Sequence, residues 1–68
     1  MNWKDASKEK PEQGVDVLLW IEDGSIHEGR FLKNANKYHM AVNKWKVYKL
    51  NRYIDEHEVI AWCEIMKG

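Results

Sequence analysis

The residues able to do chemistry in this chain are three histidines (His27, His39, His57), one cysteine (Cys63), the run Asp55-Glu56-His57-Glu58 and a stretch of cations interleaved with aromatics. Structural metal sites pair Cys or His at separations of roughly two to five residues. No such pairing occurs, so no metal site is expected; Asp55 to Glu58 reads as a solvated acidic turn and His27 as a cross-strand partner of Trp20. A Cys-His nucleophile would need Cys63 beside an oriented histidine. Cys63 instead alternates with Val59, Ala61 and Ile65, as a small buried hydrophobe does. The carboxylate pairs Asp55/Glu58 and Glu22/Asp23 lie at turns, outside the apolar surroundings that a general acid needs. Gly14, Gly24, Gly29 and Gly68 stand singly and form no phosphate-cradling loop. These readings predict a protein with no catalytic residues, no cofactor and no enzymatic activity.

The cations form the one constellation above background. The stretch from Gly29 to Ile54 holds seven (Arg30, Lys33, Lys37, Lys44, Lys46, Lys49, Arg52) and no acid, for a charge of +7, while residues 1–28 carry −4 and residues 55–68 carry −3. A formal net charge of zero conceals this segregation. Phe31, Tyr38, Trp45, Tyr48 and Tyr53 lie among the cations. Cations set affinity for a phosphate backbone and its salt dependence; aromatics stack unpaired bases. The candidate surface is therefore Lys44, Trp45, Lys46, Tyr48, Lys49 and Arg52. In an antiparallel sheet the same cations can also be cross-strand partners of Glu28, Glu58 or Glu64.

The elements that must position these residues belong to a short chain. Its 68 residues make one domain, residues 1–68. A chain of this length buries only ~60% of the surface exposed when unfolded, so a few large side chains must do most of the packing. Four Trp, three Tyr and one Phe supply them. Trp3, Trp20, Phe31 and Trp62 are assigned to the core. No apolar run reaches the ~20 residues of a membrane span, and Met1-Asn2-Trp3-Lys4-Asp5 lacks the regions of a secretory signal. With a single cysteine and no internal disulfide, a cytoplasmic location is expected.

Lys10-Pro11-Glu12-Gln13-Gly14 is a turn, after which Val15, Val17, Leu19 and Ile21 alternate as one face of a strand, with Leu18 and Trp20 on the other. Asp23-Gly24 suits a two-residue type I′ hairpin that pairs Ile21 with Ile26 and Trp20 with His27. That register sends Phe31 to the face opposite Ile26, and a bulge or sharp bend at Gly29 would reconcile the two. Asn34-Ala35-Asn36 reads as a turn, Tyr38, Met40 and Val42 as a third strand, and Asn43-Lys44 as another turn. Trp45 to Leu50 reads as a fourth strand, although Trp45, Tyr48 and Arg52 also fit a helical face. Asn51 to His57 is a polar crossing with Tyr53 and Ile54 tucked beneath it. Val59 to Ile65 closes the sheet, with Val59, Ala61, Cys63 and Ile65 alternating against Ile60, Trp62 and Glu64. The expected fold is all-β, a small antiparallel meander of about five strands curled into an SH3-like barrel.

Trp3, Pro11-Glu12 with Gly14, Val17-Leu18 and, near the end, Trp62 together resemble the phage- and prophage-associated domain-of-unknown-function family 551. Its members open with Trp, continue to a Leu-Pro-Glu-Gly-like turn and enter a first strand at Val-Leu. Members close with His-Trp-Met and then Pro-Leu-Pro; here Ala61-Trp62-Cys63 and Glu64-Ile65-Met66 keep the Trp but not the His or the prolines. The resemblance implies a phage or prophage accessory protein with a compact β fold and no assigned activity. The functional expectation is a non-enzymatic binding module that contacts a host protein, a phage protein or a second copy of itself, because aromatics concentrate binding energy and a first strand apolar on both faces would gain from association. The alternative is nucleic-acid binding through the basic, aromatic stretch 30–53. No membrane partner is expected. Exposed Trp beside Lys would favour nucleic acid; exposed Trp among apolar or mixed-charge neighbours would favour protein.

Overall fold

Val17, Leu19 and Ile21 alternate inward along one strand, and the computed structural model, which describes residues 2–33 and 43–65, places them on the buried face of an open sheet. Its strands are β1 (Lys4–Asp5), β2 (Val17–Ile21), β3 (Ile26–Leu32), β4 (Lys44–Val47), β5 (Arg52–Asp55) and β6 (Val59–Glu64). A one-turn 3-10 helix, Glu56–Glu58, joins β5 to β6, and no α-helix occurs among the described residues. All neighbours pair antiparallel in the order β1-β6-β2-β3-β4-β5, so the domain is a six-stranded all-β sheet. Two strands, β1 and β5, were not among the expected ones; β1 sets Lys4 against Trp62 and Asp5 against Ala61. Among the described residues no helix is long and apolar enough to cross a membrane.

The β2–β3 turn corrects the expected register. Gly24 N–H donates to the Ile21 carbonyl (2.8 Å) and Ile21 N–H to the Ser25 carbonyl (2.9 Å), enclosing Glu22-Asp23-Gly24 as the loop. Gly24 alone there takes a positive φ, 92°, whereas a type I′ turn needs two such residues. The longer loop moves the pairing by one residue, to Trp20↔Ile26, Leu19↔His27 and Val17↔Gly29. Directly opposed residues share a face, so Phe31 joins Val17 and Leu19 on the inner side with no bulge at Gly29. Gly29 has a different role: β3 pairs with β2 up to Gly29 and with β4 from Gly29 onward, and the backbone of β4 passes where a side chain would stand.

The register break lies between Trp20 and Ile21 in the β2–β6 pairing, where Trp20 meets Ala61 and Ile21 meets Val59, leaving Ile60 as the extra residue. An extra residue reverses the facing of everything after it. Val59 and Trp62 therefore both point inward, Ile60 is exposed, and the expected grouping of Val59 with Ala61 and Cys63 does not hold.

Lys44 to Val47 is strand, which rules out the helical alternative; Lys44 opens β4 instead of forming a turn, and Tyr48 to Leu50 lie in the turn that follows. The polar crossing at residues 51–57 is strand β5 for most of its length, with Ile54 inside and Tyr53 outside. The expected turn at 34–36 and strand at Tyr38, Met40 and Val42 lie outside the described residues. The core is a single cluster: Ala6, Val17, Leu19, Ile21, Phe31, Trp45, Val47, Ile54, Val59 and Trp62. Phe31 and Trp62 stand in it as expected. Trp3 and Trp20 do not; they meet edge-on at 5.5 Å on the outer face, with Trp20 38% exposed.

Candidate functional site

The six residues singled out by charge and aromaticity are divided between the two faces of β4, the turn after it and the start of β5. Trp45 points inward and is 0% exposed; its ring lies 4.8 Å from Phe31 and its indole N–H donates to the Glu56 carbonyl at 3.1 Å. It offers no surface for a base to stack on, a correction to its place in the candidate set. Lys44 and Lys46 point outward on the same strand. Lys44 pairs with Asp55, its cross-strand neighbour, and that hydrogen bond followed by the lysine charge holds the Asp55 carboxyl below the usual aspartate value. Tyr48 donates its hydroxyl to Asp16, and burial followed by this hydrogen bond pushes the phenol above its ordinary pKa. Lys49 and Arg52 are exposed.

Two sets of neighbours emerge on the outer face of the sheet. One is a row running across three strands: Arg30 on β3 lies opposite Lys46 on β4, which lies opposite Tyr53 on β5. The Lys46 ammonium sits 4.7 Å from the centre of the Tyr53 ring and donates to Asn51 Oδ1 at 2.9 Å. The Arg30 guanidinium lies 5.8 Å from the Tyr48 ring centre. Asn51 reaches Lys46 from the β4–β5 turn, where it takes a left-handed conformation (φ 49°) that asparagine tolerates better than most residues. The other set is apolar. Trp20 and Ile26, directly opposed across β2 and β3, are 38% and 52% exposed, with Trp3 against Trp20.

No protein-family model, curated protein or solved structure matches this chain.

Arg30, Asn51 and Tyr53 join Lys46 in space although the candidate set omitted them. Tyr53 was legible in principle, because Ile54 takes the buried position of its strand and the neighbouring side chain must then face solvent. Arg30 was not, since its facing depends on the turn at Gly24. Among the described residues no group of three or more His, Cys, Asp or Glu converges. Cys63 is buried opposite Leu18. A groove between the turn after β1 and the 3-10 helix is lined by Asp5, Ser7, Lys10, Glu56, His57 and Ile60. Lys10 closes it with a 3.2 Å ion pair to Glu56 and a hydrogen bond to the Ala6 carbonyl, which occupies the charge a ligand would use.

Proposed function

We propose that this chain is a non-enzymatic, cytoplasmic binding module of phage or prophage type, acting through protein contact, with a second copy of itself as the partner. The observation that carries the reading is the outward pair Trp20–Ile26, backed by Trp3. Large apolar side chains opposed on a solvent face leave area that only a partner can remove from water, and Trp is the residue type on which interface energy concentrates. Among the described residues the strand and ring neighbours of this Trp are apolar (Ile26, Trp3, Ala61) or acidic (Asp5, Glu28), a setting that suits protein more than nucleic acid. With a formal net charge of zero, two copies approach without repulsion.

The phage assignment draws on the resemblance at Trp3, Pro11-Glu12, Gly14, Val17-Leu18 and Trp62, of which Pro11, Val17 and Trp62 are buried here. We take the sheet to curl as an SH3-like barrel, a reading supported by the consecutive pairing of β2 to β5, the return of β6 to β2 through a 3-10 turn, and the shared core. Cys63 as a buried thiol fits a reducing compartment.

Sedimentation equilibrium tests the partner. A dimer is expected whose dissociation constant rises at least about tenfold, or about 1.4 kcal/mol, in Ile26→Asp. A parent that sediments as a monomer throughout, or an Ile26→Asp chain that dimerises equally well, refutes the reading.

A further inference from the structure

Arg30 and Lys46 are directly opposed across an antiparallel pair, an arrangement in which like charges repel. Three other lysines answer carboxylates: Lys4 to Glu64, Lys10 to Glu56 and Lys44 to Asp55. In the Arg30–Lys46–Tyr53 row no acid intervenes. Lys46 is held by the neutral amide oxygen of Asn51 and the face of Tyr53, and Arg30 stands near the face of Tyr48. An amide and π faces orient a cation while leaving its full charge in place, so the row presents two fixed positive charges beside a ring that is 57% exposed. Lys49 in the adjoining turn and Arg52 next to Tyr53 are exposed as well. The row has clear borders: Glu28 stands two residues before Arg30 on the same face, and the neutralised Lys44–Asp55 pair stands on the other side.

We infer that this row binds single-stranded nucleic acid without sequence preference, a function separate from the Trp20–Ile26 contact and independent of it. Arg30 and Lys46 take backbone phosphates, and Tyr53 stacks an unpaired base. The choice of a single strand follows from shape. Two strand spacings, about 10 Å of sheet, carry the row, among the described residues no helix or ribbon stands out to enter a major groove, and stacking on Tyr53 requires a base free of its partner.

The test is fluorescence anisotropy of the full chain with a labelled oligothymidylate of about 10 nucleotides, and with a duplex of equal length, over a series of salt concentrations. The expected results are tighter binding of the single strand, a loss of about 10-fold in Tyr53→Ala at unchanged salt slope, and in Lys46→Gln a slope shallower by about 0.7, with Lys46→Arg restoring it. Circular dichroism of each variant separates lost binding from lost fold, and Tyr53→Phe, which keeps the ring, retains affinity. The inference is overturned if the parent does not bind at low salt, if the duplex binds as tightly, if Tyr53→Ala is silent, or if amide shifts on titration gather at Trp20 and Ile26 and leave Arg30, Lys46 and Tyr53 unmoved. None of these outcomes touches the sedimentation result.

Discussion

Replacing Gly29 with Ala would set a methyl carbon 2.0 Å from the backbone oxygen of Lys46 and 2.7 Å from Cδ1 of Leu19. Ordinary contact lies near 3.5 Å, so the separation from the oxygen must open by roughly 1.5 Å. Leu19 cannot swing aside, because it is fully buried among Val17, Phe31 and Trp62. The oxygen cannot yield alone either, since it belongs to the ladder in which Arg30 and Lys46 are paired. Overpacking a core costs about 1–3 kcal/mol, and a clash with backbone belongs at the upper end of that range. Against it stands the reduced freedom of the unfolded chain when Gly becomes Ala, worth about 0.4–1 kcal/mol. The expected net loss is about 2–3 kcal/mol, which for a domain of this size lowers Tm by about 10–20 °C. Urea unfolding followed by tryptophan fluorescence measures it, with the slope m checking that both chains unfold in the same manner. If Gly29→Ala unfolds within about 0.5 kcal/mol of the parent, the close passage of β4 over Gly29 is not a feature of the protein, and the argument for why a glycine stands there fails.

Trp45→Ala and Trp62→Ala should each cost about 3–5 kcal/mol, enough to unfold a domain with ordinary stability, because each removes a buried ring and the indole donor that satisfies a backbone carbonyl, Glu56 for Trp45 and Glu9 for Trp62. A folded Trp45→Ala chain in amide NMR would refute the placement of Trp45. For Tyr48, the folded pKa lies above the unfolded value, so its contribution is complete below about pH 10 and is lost as pH rises through the raised pKa. The parent should therefore lose stability in strong base by a component missing from Tyr48→Phe, a difference visible in urea midpoints on either side of pH 10. Asp23 has its carboxyl lowered first by the Ser25 hydroxyl and then by the Ser25 N–H. Its contribution is present above the unfolded value of 3.8 and fades as pH falls through the folded pKa, so Asp23→Asn should flatten the acid limb of the same curve.

The class of fold was legible because it rests on local pattern. Val17, Leu19 and Ile21 alternate, valine and aromatics favour strand at residues 45–47, and turn residues punctuate both ends of the first hairpin. Misreadings arose where one residue of register mattered. Asp23-Gly24 satisfies the composition of a two-residue turn, yet Asp23 spends its carboxylate on Ser25 and the loop closes around three residues, so Phe31 reaches the core through the length of the loop and not through the expected bulge at Gly29. Ile60 does the same in β6, since nothing in Val59 to Ile65 marks which residue will be left unpaired. Trp20 and Trp45 changed places for a different reason. Both are aromatic residues in strands, and their types do not distinguish a ring that fills the core from one that meets solvent.

The sequence by itself determined that the chain folds as a β domain around few large side chains and that its charges are segregated along the chain. These are properties of composition and of period-two alternation, which survive any change of register. Only the tertiary structure decided which cations stand together. Of the seven in the basic stretch, Lys44 is claimed by Asp55, whereas Arg30 and Lys46 meet across β3 and β4 beside a tyrosine brought from β5. Strand pairing joins residues far apart in the chain, and its register follows from the hydrogen bonds of one turn and the clearance at one glycine, neither of which residue types alone express.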